Sequence, residues 1–299
     1  MLILRTIADL RSHVNAWRAE GLTVGFVPTM GALHRGHLSL VTRSNELADS
    51  TLVSIFVNPI QFDRPDDFAR YPRTEAEDVA KLEAAGGCDA VFAPAVEEMF
   101  PDGRPPVGTF ATQVAVEALS NRLCGLHRPG HFTGMSTLVM KLLLIAMPDV
   151  AVFGEKDYQQ LQIIRRMVRD LNVPVTIESG TTVREDDGLA MSSRNTYLSA
   201  EQRAQAPRLF QAMTIAAGRI QKGEDVSATL DWAEGVILES GFRSVDYLTL
   251  VAPDTLASLD ALDGPARLVA AAWLGPARLI DNIPVTPTPS GAVISSEAV

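Results

Sequence analysis

The chain has 299 residues, 46% of them hydrophobic, which is enough to bury a sizeable core in about two domains at roughly 100–200 residues each. Its formal net charge of −10 and its pI near 5.0 argue against a nucleic-acid partner, because a polyanion would meet a field of its own sign. Two cysteines, Cys88 and Cys124, lie far apart without metal-ligand spacing and favour a reducing compartment.

No secretory signal peptide is expected, because the N-terminal residues lack a basic stretch followed by an apolar run and a small-residue cleavage site. The longest apolar segment, residues 138–147, is interrupted by Lys141. It is also shorter than the about 20 residues that a helix needs to cross a bilayer. The sequence therefore predicts a cytoplasmic protein with no membrane partner.

The first half of the chain alternates apolar, strand-like runs with helical patterns. Strands are predicted at 22–29, 51–57, 90–93, 150–153 and 173–179, and helices from about 36 and at 75–85, 133–147 and 158–171. Thr74 and Glu77 have the spacing of a capping box before the helix at 75–85, and Gly86 follows its end. The alternating segment Thr109–Val116 predicts an edge strand.

Apolar strands joined by helices predict an α/β fold, a Rossmann-like doubly wound parallel sheet covered on both faces. The pattern changes near residue 184, and Ser199 and Gln202 have capping-box spacing before a further helix. A helix at 226–239 and strands at 245–251, 268–273 and 278–283 then predict a small α+β unit. The predicted domains are a Rossmann-like domain at 1–184, a C-terminal lid domain at 185–284 and a flexible tail at 285–299.

The segment Pro28–His37 follows an apolar strand directly and begins a helix. His34 and His37 would lie beside the unpaired amides and positive dipole end of that helix, an arrangement typical of an anion site. Taken alone, the pair could equally be two metal ligands or a structural pair with satisfied hydrogen bonds. A zinc site would need a third ligand, and His13, His127 and His131 lie in no ligand motif.

Further polar groups follow other predicted strands, and the carboxyl ends of parallel strands meet at one edge of a sheet. Gln61 can bind a small hydroxy acid through its amide, Lys156 can neutralise a phosphate, and the segment Met191–Asn195 can close over phosphate oxygens. Each is also typical of an ordinary loop when considered alone. Together they predict one crevice that includes His34 and His37.

Five motifs, in this order, identify a family. They are Pro28-Thr29-Met30-Gly31-Ala32-Leu33-His34-Arg35-Gly36-His37, Phe56-Val57-Asn58-Pro59-Ile60-Gln61-Phe62, Tyr71-Pro72-Arg73-Thr74, Gly154-Glu155-Lys156-Asp157-Tyr158-Gln159-Gln160 and Met191-Ser192-Ser193-Arg194-Asn195. From about Leu22 to Asn282 the chain closely resembles the pantothenate synthetases, or pantoate-β-alanine ligases. These enzymes share the His-x-Gly-His turn with nucleotidyltransferases.

The resemblance implies roles for individual residues. It implies that ATP is bound by Met30, Gly31, Ala32, Leu33, His34, Arg35, Gly36, His37, Gly154, Glu155, Lys156, Asp157, Val183, Met191, Ser192, Ser193 and Arg194. His37 would be the proton donor, and His34, Lys156 and Arg194 would act with it on the phosphates. Gln61 and Gln160 would hold pantoate. Arg35 takes a position where an acidic residue is expected, and the acidic pair Glu77 and Asp78 is a candidate for placing magnesium.

The implied reaction is the ATP-dependent condensation of (R)-pantoate with β-alanine through pantoyl adenylate, with release of AMP and pyrophosphate. Mg²⁺ would be the metal cofactor, without assigned protein ligands, and the expected assembly is a homodimer. One alternative is a nucleotidyltransferase that leaves AMP on its product. Another is a non-catalytic nucleotide-binding sensor, although the intact histidine pair and Lys156 weigh against it.

Overall fold

The computed structural model describes residues 1–103 and 112–287, and the chain forms two compact units, Met1–Ser199 and Ala200–Val299. The boundary expected at residue 184 therefore lies inside the first unit, which also holds residues 185–199. The tail predicted from residue 285 begins on the last residue of a strand, Val285, and residues 288–299 of that tail lie outside the described part. The lid role of the C-terminal domain stays a prediction.

The first unit is built on a sheet of six strands with the spatial order β1-β4-β3-β2-β5-β6. These strands are β1 Leu2–Leu4, β2 Val24–Thr29, β3 Ser50–Ile55, β4 Ala90–Phe92, β5 Val150–Gly154 and β6 Thr176–Gly180. Every pairing between them is parallel. The strands β2, β3 and β4 are buried along nearly their whole length, which confirms the predicted Rossmann-like α/β sheet.

Helices connect these strands. They are α1 Ile7–Ala19, α2 Arg35–Asn45, α3 Pro65–Arg70, α4 Glu75–Ala85, α5 Val96–Met99, α6 Glu117–Ser120, α7 Cys124–His127, α8 His131–Ala146 and α9 Tyr158–Asp170. From β2 the chain builds outward through β3 and β4 on one side and through β5 and β6 on the other, so the order reverses beside β2. Ligands of open α/β sheets bind at this topological switch point, and the turn that follows β2 therefore occupies the position where binding is expected.

Two local predictions at the first unit need correction. Thr74 does not form the predicted capping box, because its hydroxyl donates a hydrogen bond to Asp78 Oδ2 at 3.2 Å and accepts none from the helix backbone. The predicted edge strand at Thr109–Val116 is not formed at residues 112–116, where the Val114 amide donates to the side chain of Thr137; residues 109–111 lie outside the described part.

Close packing of α2 on β2 fixes the turn between them. A Cβ added at Gly25 would lie only 2.1 Å from Ser44 Oγ, so glycine lets the helix approach the strand. Leu33, within the turn, is 2% exposed and packs with core residues of the sheet and the helices, including Val27 and Val53. The turn is therefore anchored in the hydrophobic core.

The second unit is the small α+β structure that the sequence predicts. Its helices are α10 Ala200–Gln205, α11 Arg208–Gln221 and α12 Val226–Glu239, and its strands are β7 Ser244–Val251, β8 Ala266–Leu274 and β9 Ala277–Val285. The three strands form an antiparallel sheet with β8 in the middle. Across residues 1–103 and 112–287, no helix has the length and apolarity that crossing a membrane requires.

Candidate active site

The turn after β2 is shaped by one buried carboxylate. Asp78, on α4, is fully buried and accepts hydrogen bonds from the backbone N–H groups of Ala32, at 2.8 Å, and Leu33, at 2.7 Å. Gly31 and Ala32 both have left-handed backbone conformations, with φ of 79° and 50°. Two amides expected to bind a ligand anion are thus already satisfied by an anion of the protein itself.

His34 and His37 lie side by side at the start of α2, with ring centroids 4.0 Å apart. The backbone N–H of His34 donates to Nδ1 of His37 at 3.3 Å. Because Nδ1 of His37 accepts, the proton of its neutral ring lies on Nε2, which is left as a donor. The family resemblance implies that His37 is the proton donor of the site; in the structure its neutral ring has a defined tautomer with Nε2–H as a hydrogen-bond donor.

Both imidazoles are uncharged at neutral pH. Burial, together with His34, Lys156 and Lys81, lowers the pKa of His37 to about 3. Burial and the charge of Lys156 lower the pKa of His34 to about 4. Any hydrogen bond that these rings donate to a ligand near pH 7 is therefore donated by a neutral imidazole.

Gly36 makes room for the first imidazole. A Cβ at Gly36 would lie 3.0 Å from two atoms of the His34 ring and 3.9 Å from Cβ of Met191. Within the described residues, Nδ1 of His34 is buried and has no hydrogen-bond partner. The turn and the segment that begins at Met191 therefore meet across Gly36, as the predicted crevice requires.

A hairpin brings the predicted nucleotide contacts Val183 and Met191 together. The Met191 N–H donates to the Val183 carbonyl at 3.0 Å, and residues 184 and 190 pair as an antiparallel bridge. Arg35, which takes the place of an expected acidic residue, lies 3.4 Å from Glu185 of this hairpin and is 63% exposed. Its charge is thus partly balanced by a carboxylate at the surface.

The Ser-Ser-Arg segment is tied to α3 and to the residue that follows it. The guanidinium of Arg194 lies 3.0 Å from the carboxylate of Asp67, and the hydroxyl of Ser193 lies 3.3 Å from that of Tyr71. Burial opposes the charge of Arg194, but the nearby Asp67 carboxylate raises its pKa. Sequence reasoning gave no role to Asp67 or Tyr71, although Tyr71 begins one of the quoted motifs.

Gln61 presents a donor whose orientation is fixed by its neighbours. Asn58 Nδ2 donates to Gln61 Oε1 at 2.6 Å and to the Gly134 carbonyl at 3.2 Å, while Asn58 Oδ1 accepts from the Ile60 amide. The Gln61 NH₂ group is therefore left to donate elsewhere. A Cβ at Gly134 would lie 2.0 Å from the Ile60 carbonyl, so α8 presses directly on this turn.

His131, the first residue of α8, and the partly buried Arg128 also contact this turn. His131 Nδ1 lies 2.7 Å from the Gln61 backbone carbonyl, and Arg128 bonds Asp63 at 3.0 Å and approaches His131 Nε2 at 3.1 Å. Burial lowers the pKa of Arg128 against the opposing charge of Asp63. The sequence Arg-Pro-Gly-His at 128–131 was the available signal for these supporting residues.

The two glutamines of α9 have different surroundings. Gln159 is buried, accepts from the Cys124 amide and donates to the carbonyls of Leu119 and Arg122. It therefore supports a neighbouring segment and is not solvated. Gln160 is half-buried, and its side chain makes no hydrogen bond within residues 1–103 and 112–287, so its amide is available to a ligand.

The segment after β5 carries the remaining predicted cation. Residues 155–157 form a short 3-10 helix, in which Lys156 is 19% exposed and lies 3.8 Å from Asp157. Its charge acts on His34 and on His37. Lys156 and the histidine pair are therefore near each other at the carboxyl ends of β5 and β2, neighbours in the sheet.

The pair Glu77 and Asp78 does not fit a magnesium site. Each oxygen of Asp78 already accepts a backbone N–H, and Lys81 places its ammonium 3.9 Å from Oδ1. Mg²⁺ prefers a nearly octahedral set of free oxygen ligands. Nowhere in the described ranges do three or more His, Cys, Asp or Glu residues form a group that could hold a metal ion.

Comparison with known proteins agrees with this geometry. The sequence profile of the family Pantoate-beta-alanine ligase matches residues 2–284. The chain is 55% identical to a pantothenate synthetase of Paramagnetospirillum magneticum over 95% of its own length and 98% of the relative's. A relative of the same name from Hyphomonas neptunium is also 55% identical, with 95% of this chain and 96% of the relative covered.

Solved structures are similar as well. A pantothenate synthetase from Thermus thermophilus superposes with a TM-score of 0.86 at 46% identity, covering 96% of this chain and all (100%) of the other. A pantoate-beta-alanine ligase from Francisella tularensis, in complex with beta-gamma ATP and beta-alanine, has a TM-score of 0.79 at 33% identity and covers 95% of this chain and 97% of its own. The chain belongs to the pantoate-β-alanine ligase family.

Proposed function

We propose that the turn after β2, the segment 154–157 and the hairpin 183–191 with residues 192–194 form the ATP site of this ligase. The family's reaction, and that of this chain, is the ATP-dependent condensation of (R)-pantoate with β-alanine through pantoyl adenylate. The observation that carries the residue assignment is the neutral His34–His37 pair at the topological switch point, with Nε2 of His37 left as a donor.

In the first step a pantoate carboxylate oxygen attacks the α-phosphorus of ATP, a P–O bond forms, and the bond to the leaving pyrophosphate breaks. Negative charge develops on the α-phosphoryl and pyrophosphate oxygens. Neutral Nε2–H of His37 donates to these oxygens, and the cations Lys156 and Arg194 balance their charge. A neutral imidazole keeps its Nε2–H as a hydrogen-bond donor near pH 7, which suits a pair whose pKa values are far below 7.

In the second step the β-alanine amine attacks the activated carbonyl carbon, a C–N bond forms, and AMP leaves with the electrons of the broken C–O bond. The amine proton passes to solvent. Gln61, through its fixed NH₂ group, and Gln160, through its open amide, hold the pantoate. No side-chain nucleophile is required, so orientation of the two substrates supplies much of the rate.

The segment Met191–Arg194 excludes water from the acyl adenylate in this proposal. Its attachment to Asp67 and Tyr71 supports that role, because a segment held by these contacts needs less ordering when the substrates bind. Mg²⁺ is included as the partner of the ATP phosphates, with no protein ligand and no step assigned to it. A homodimer is proposed from the family resemblance alone, and the molar mass in solution by light scattering tests it. A cytoplasmic location is proposed from the two widely separated cysteines, which favour a reducing compartment.

One experiment tests the function. Protein, Mg²⁺, ATP and pantoate are incubated with and without β-alanine, and pyrophosphate and AMP are followed separately. We expect pantoate-dependent pyrophosphate in both reactions and free AMP in stoichiometric amounts only with the amine. AMP that stays on a product in the presence of β-alanine would instead identify a nucleotidyltransferase, and the absence of any turnover would identify a binding protein.

A further inference from the structure

Two residues of α4, one helical turn apart, bond the N–H and the carbonyl of one residue in the turn that leads to His34 and His37. Lys81 Nζ donates to the Leu33 carbonyl at 2.9 Å, and Asp78 Oδ1 accepts from the Leu33 N–H at 2.7 Å. Leu33 directly precedes His34. Positions i and i+3 lie on the same face of a helix, so one short stretch of α4 fixes the backbone that carries the imidazoles.

Both carboxylate oxygens of Asp78 already accept hydrogen bonds from the protein. Asp78 Oδ2 accepts from the Ala32 amide at 2.8 Å and from the Thr74 hydroxyl at 3.2 Å, and its exposed fraction is 0%. The ammonium of Lys81, 3.9 Å from Oδ1, supplies the opposite charge. The half-exposed ammonium of Lys81 thus balances the buried Asp78 carboxylate, so this carboxylate needs no bound cation to offset its charge.

Lys81 also contributes to the charge balance of the site. The charged groups that act on the imidazoles come from two elements: Lys81 from α4, and Lys156 with Asp157 from the segment after β5. The two lysines oppose protonation of His34 and His37, and Asp157 favours protonation of His34. Removing either lysine would therefore make the imidazoles easier to protonate.

We propose that Asp78 and Lys81 form a clamp that positions the His34–His37 turn for adenylate formation, and that this clamp stands in place of a magnesium site on α4. The proposal rests on the assignment of the two imidazoles to the ATP site. Lys81 is a positioning residue in it, because the atoms that it contacts belong to the protein.

The test measures pantoate-dependent ATP–pyrophosphate exchange in Lys81→Met, Lys81→Arg and Asp78→Asn, as a function of ATP and of Mg²⁺. Misplacing reacting groups by about 1 Å costs roughly 10²-fold, so we expect kcat to fall by about 10- to 100-fold in Lys81→Met. Lys81→Arg restores the charge and most of the rate. The Mg²⁺ concentration for half-activation stays at the wild-type value in all three variants.

Two controls and one spectroscopic readout accompany these variants. Glu77→Gln removes the neighbouring exposed acid, and Lys222→Met removes an exposed lysine of the second unit; both are expected to keep wild-type exchange. Histidine NMR titration of Lys81→Met should show higher pKa values for His34 and His37 than in the wild type. A merely structural loss of stability would leave those pKa values where they are.

Each result decides the proposal. Wild-type exchange in Lys81→Met would overturn the clamp, and a raised Mg²⁺ requirement in Asp78→Asn or Glu77→Gln would show that α4 holds the metal. If circular dichroism shows that Asp78→Asn does not fold, the test relies on the two Lys81 variants and on Glu77→Gln. Absence of exchange in the wild type itself would instead contradict the proposed function. That outcome is distinguishable from failure of the clamp proposal, in which the wild type remains active.

Discussion

Arg194 donates a hydrogen bond to Asp67 across 3.0 Å, although 127 residues separate them in the sequence. The pair is about three-quarters buried, with side-chain exposures of 26% and 23%. The guanidinium that we assign to the ATP phosphates is therefore held in one orientation before any nucleotide binds. Less conformational entropy is lost on nucleotide binding when the cation already has its orientation.

Asp67→Asn is expected to raise the KM for ATP by roughly 10-fold while kcat changes less, because Arg194 loses its orienting partner. Steady-state exchange kinetics measure both quantities. Asp66→Asn is the matched control, since Asp66 pairs with Arg64 on the exposed surface. A lower KM in Asp67→Asn would mean that Asp67 competes with phosphate for the guanidinium.

His37→Ala should remove the Nε2 hydrogen-bond donor and lower the exchange rate by roughly 10²- to 10³-fold, the usual contribution of one donor to a developing oxyanion. The fold should persist, which circular dichroism can confirm. His13→Ala, which alters a histidine packed on Trp17 of α1, should retain the activity. Unchanged exchange in the His37 variant would remove this residue from the mechanism.

Gly36→Ala is predicted to lower activity without destabilising the protein. The added Cβ would press on the His34 ring at 3.0 Å, whereas alanine favours a helix over glycine by roughly 0.5–1 kcal/mol. Gly218→Ala on α11 makes the same change where nothing lies within 4 Å, and it should gain stability at full activity. Melting temperatures and exchange rates of the two variants, measured side by side, separate the effects. Equal activities would contradict the crowding argument.

The pH dependence of stability follows from the histidine pair. Their pKa values, about 4 for His34 and about 3 for His37, lie below the ordinary value of 6.5, so the unfolded chain takes up more protons as pH falls. The pair's contribution to stability is complete above pH 6.5 and is lost as pH falls toward 4 and then 3. Histidine NMR of the folded protein should show neither residue titrating near 6.5. A titration there would contradict the assigned neutral state.

Much of the fold is predictable because its signals are local. The bounds of α4 and α12 match the predicted 75–85 and 226–239, although the capping box predicted at Thr74 does not form. The strand β1 and the helix α5 were not predicted, since three or four residues carry too little pattern. The helix α1 was also not predicted, although its Thr6 N-cap and the Asp9 that follows gave a usable signal.

In the candidate site, too, the residues with local sequence signals could be predicted, and the residues that act through long-range contacts could not. His34, His37 and Lys156 follow strands directly, so their convergence follows from the rule for parallel sheets. The partners that shape the site could not be found so easily. Asp78 bonds Leu33 from 45 residues away, and such a pairing exists only once α4 has packed beside the turn. The sequence therefore indicates which residues carry the chemistry, and the structure adds the residues that hold them.

The contact between Gly134 and the Ile60 carbonyl has a consequence for evolution. Because the backbone of α8 touches the turn that carries Gln61, the space that we assign to the acid depends on the packing of a core helix. The sequences of surface loops vary readily, whereas a residue of a close-packed core helix is replaced only together with its packing neighbours. We therefore expect enzymes of this type to be conservative in the acid they accept, and an engineered preference for a bulkier acid to require redesign of α8.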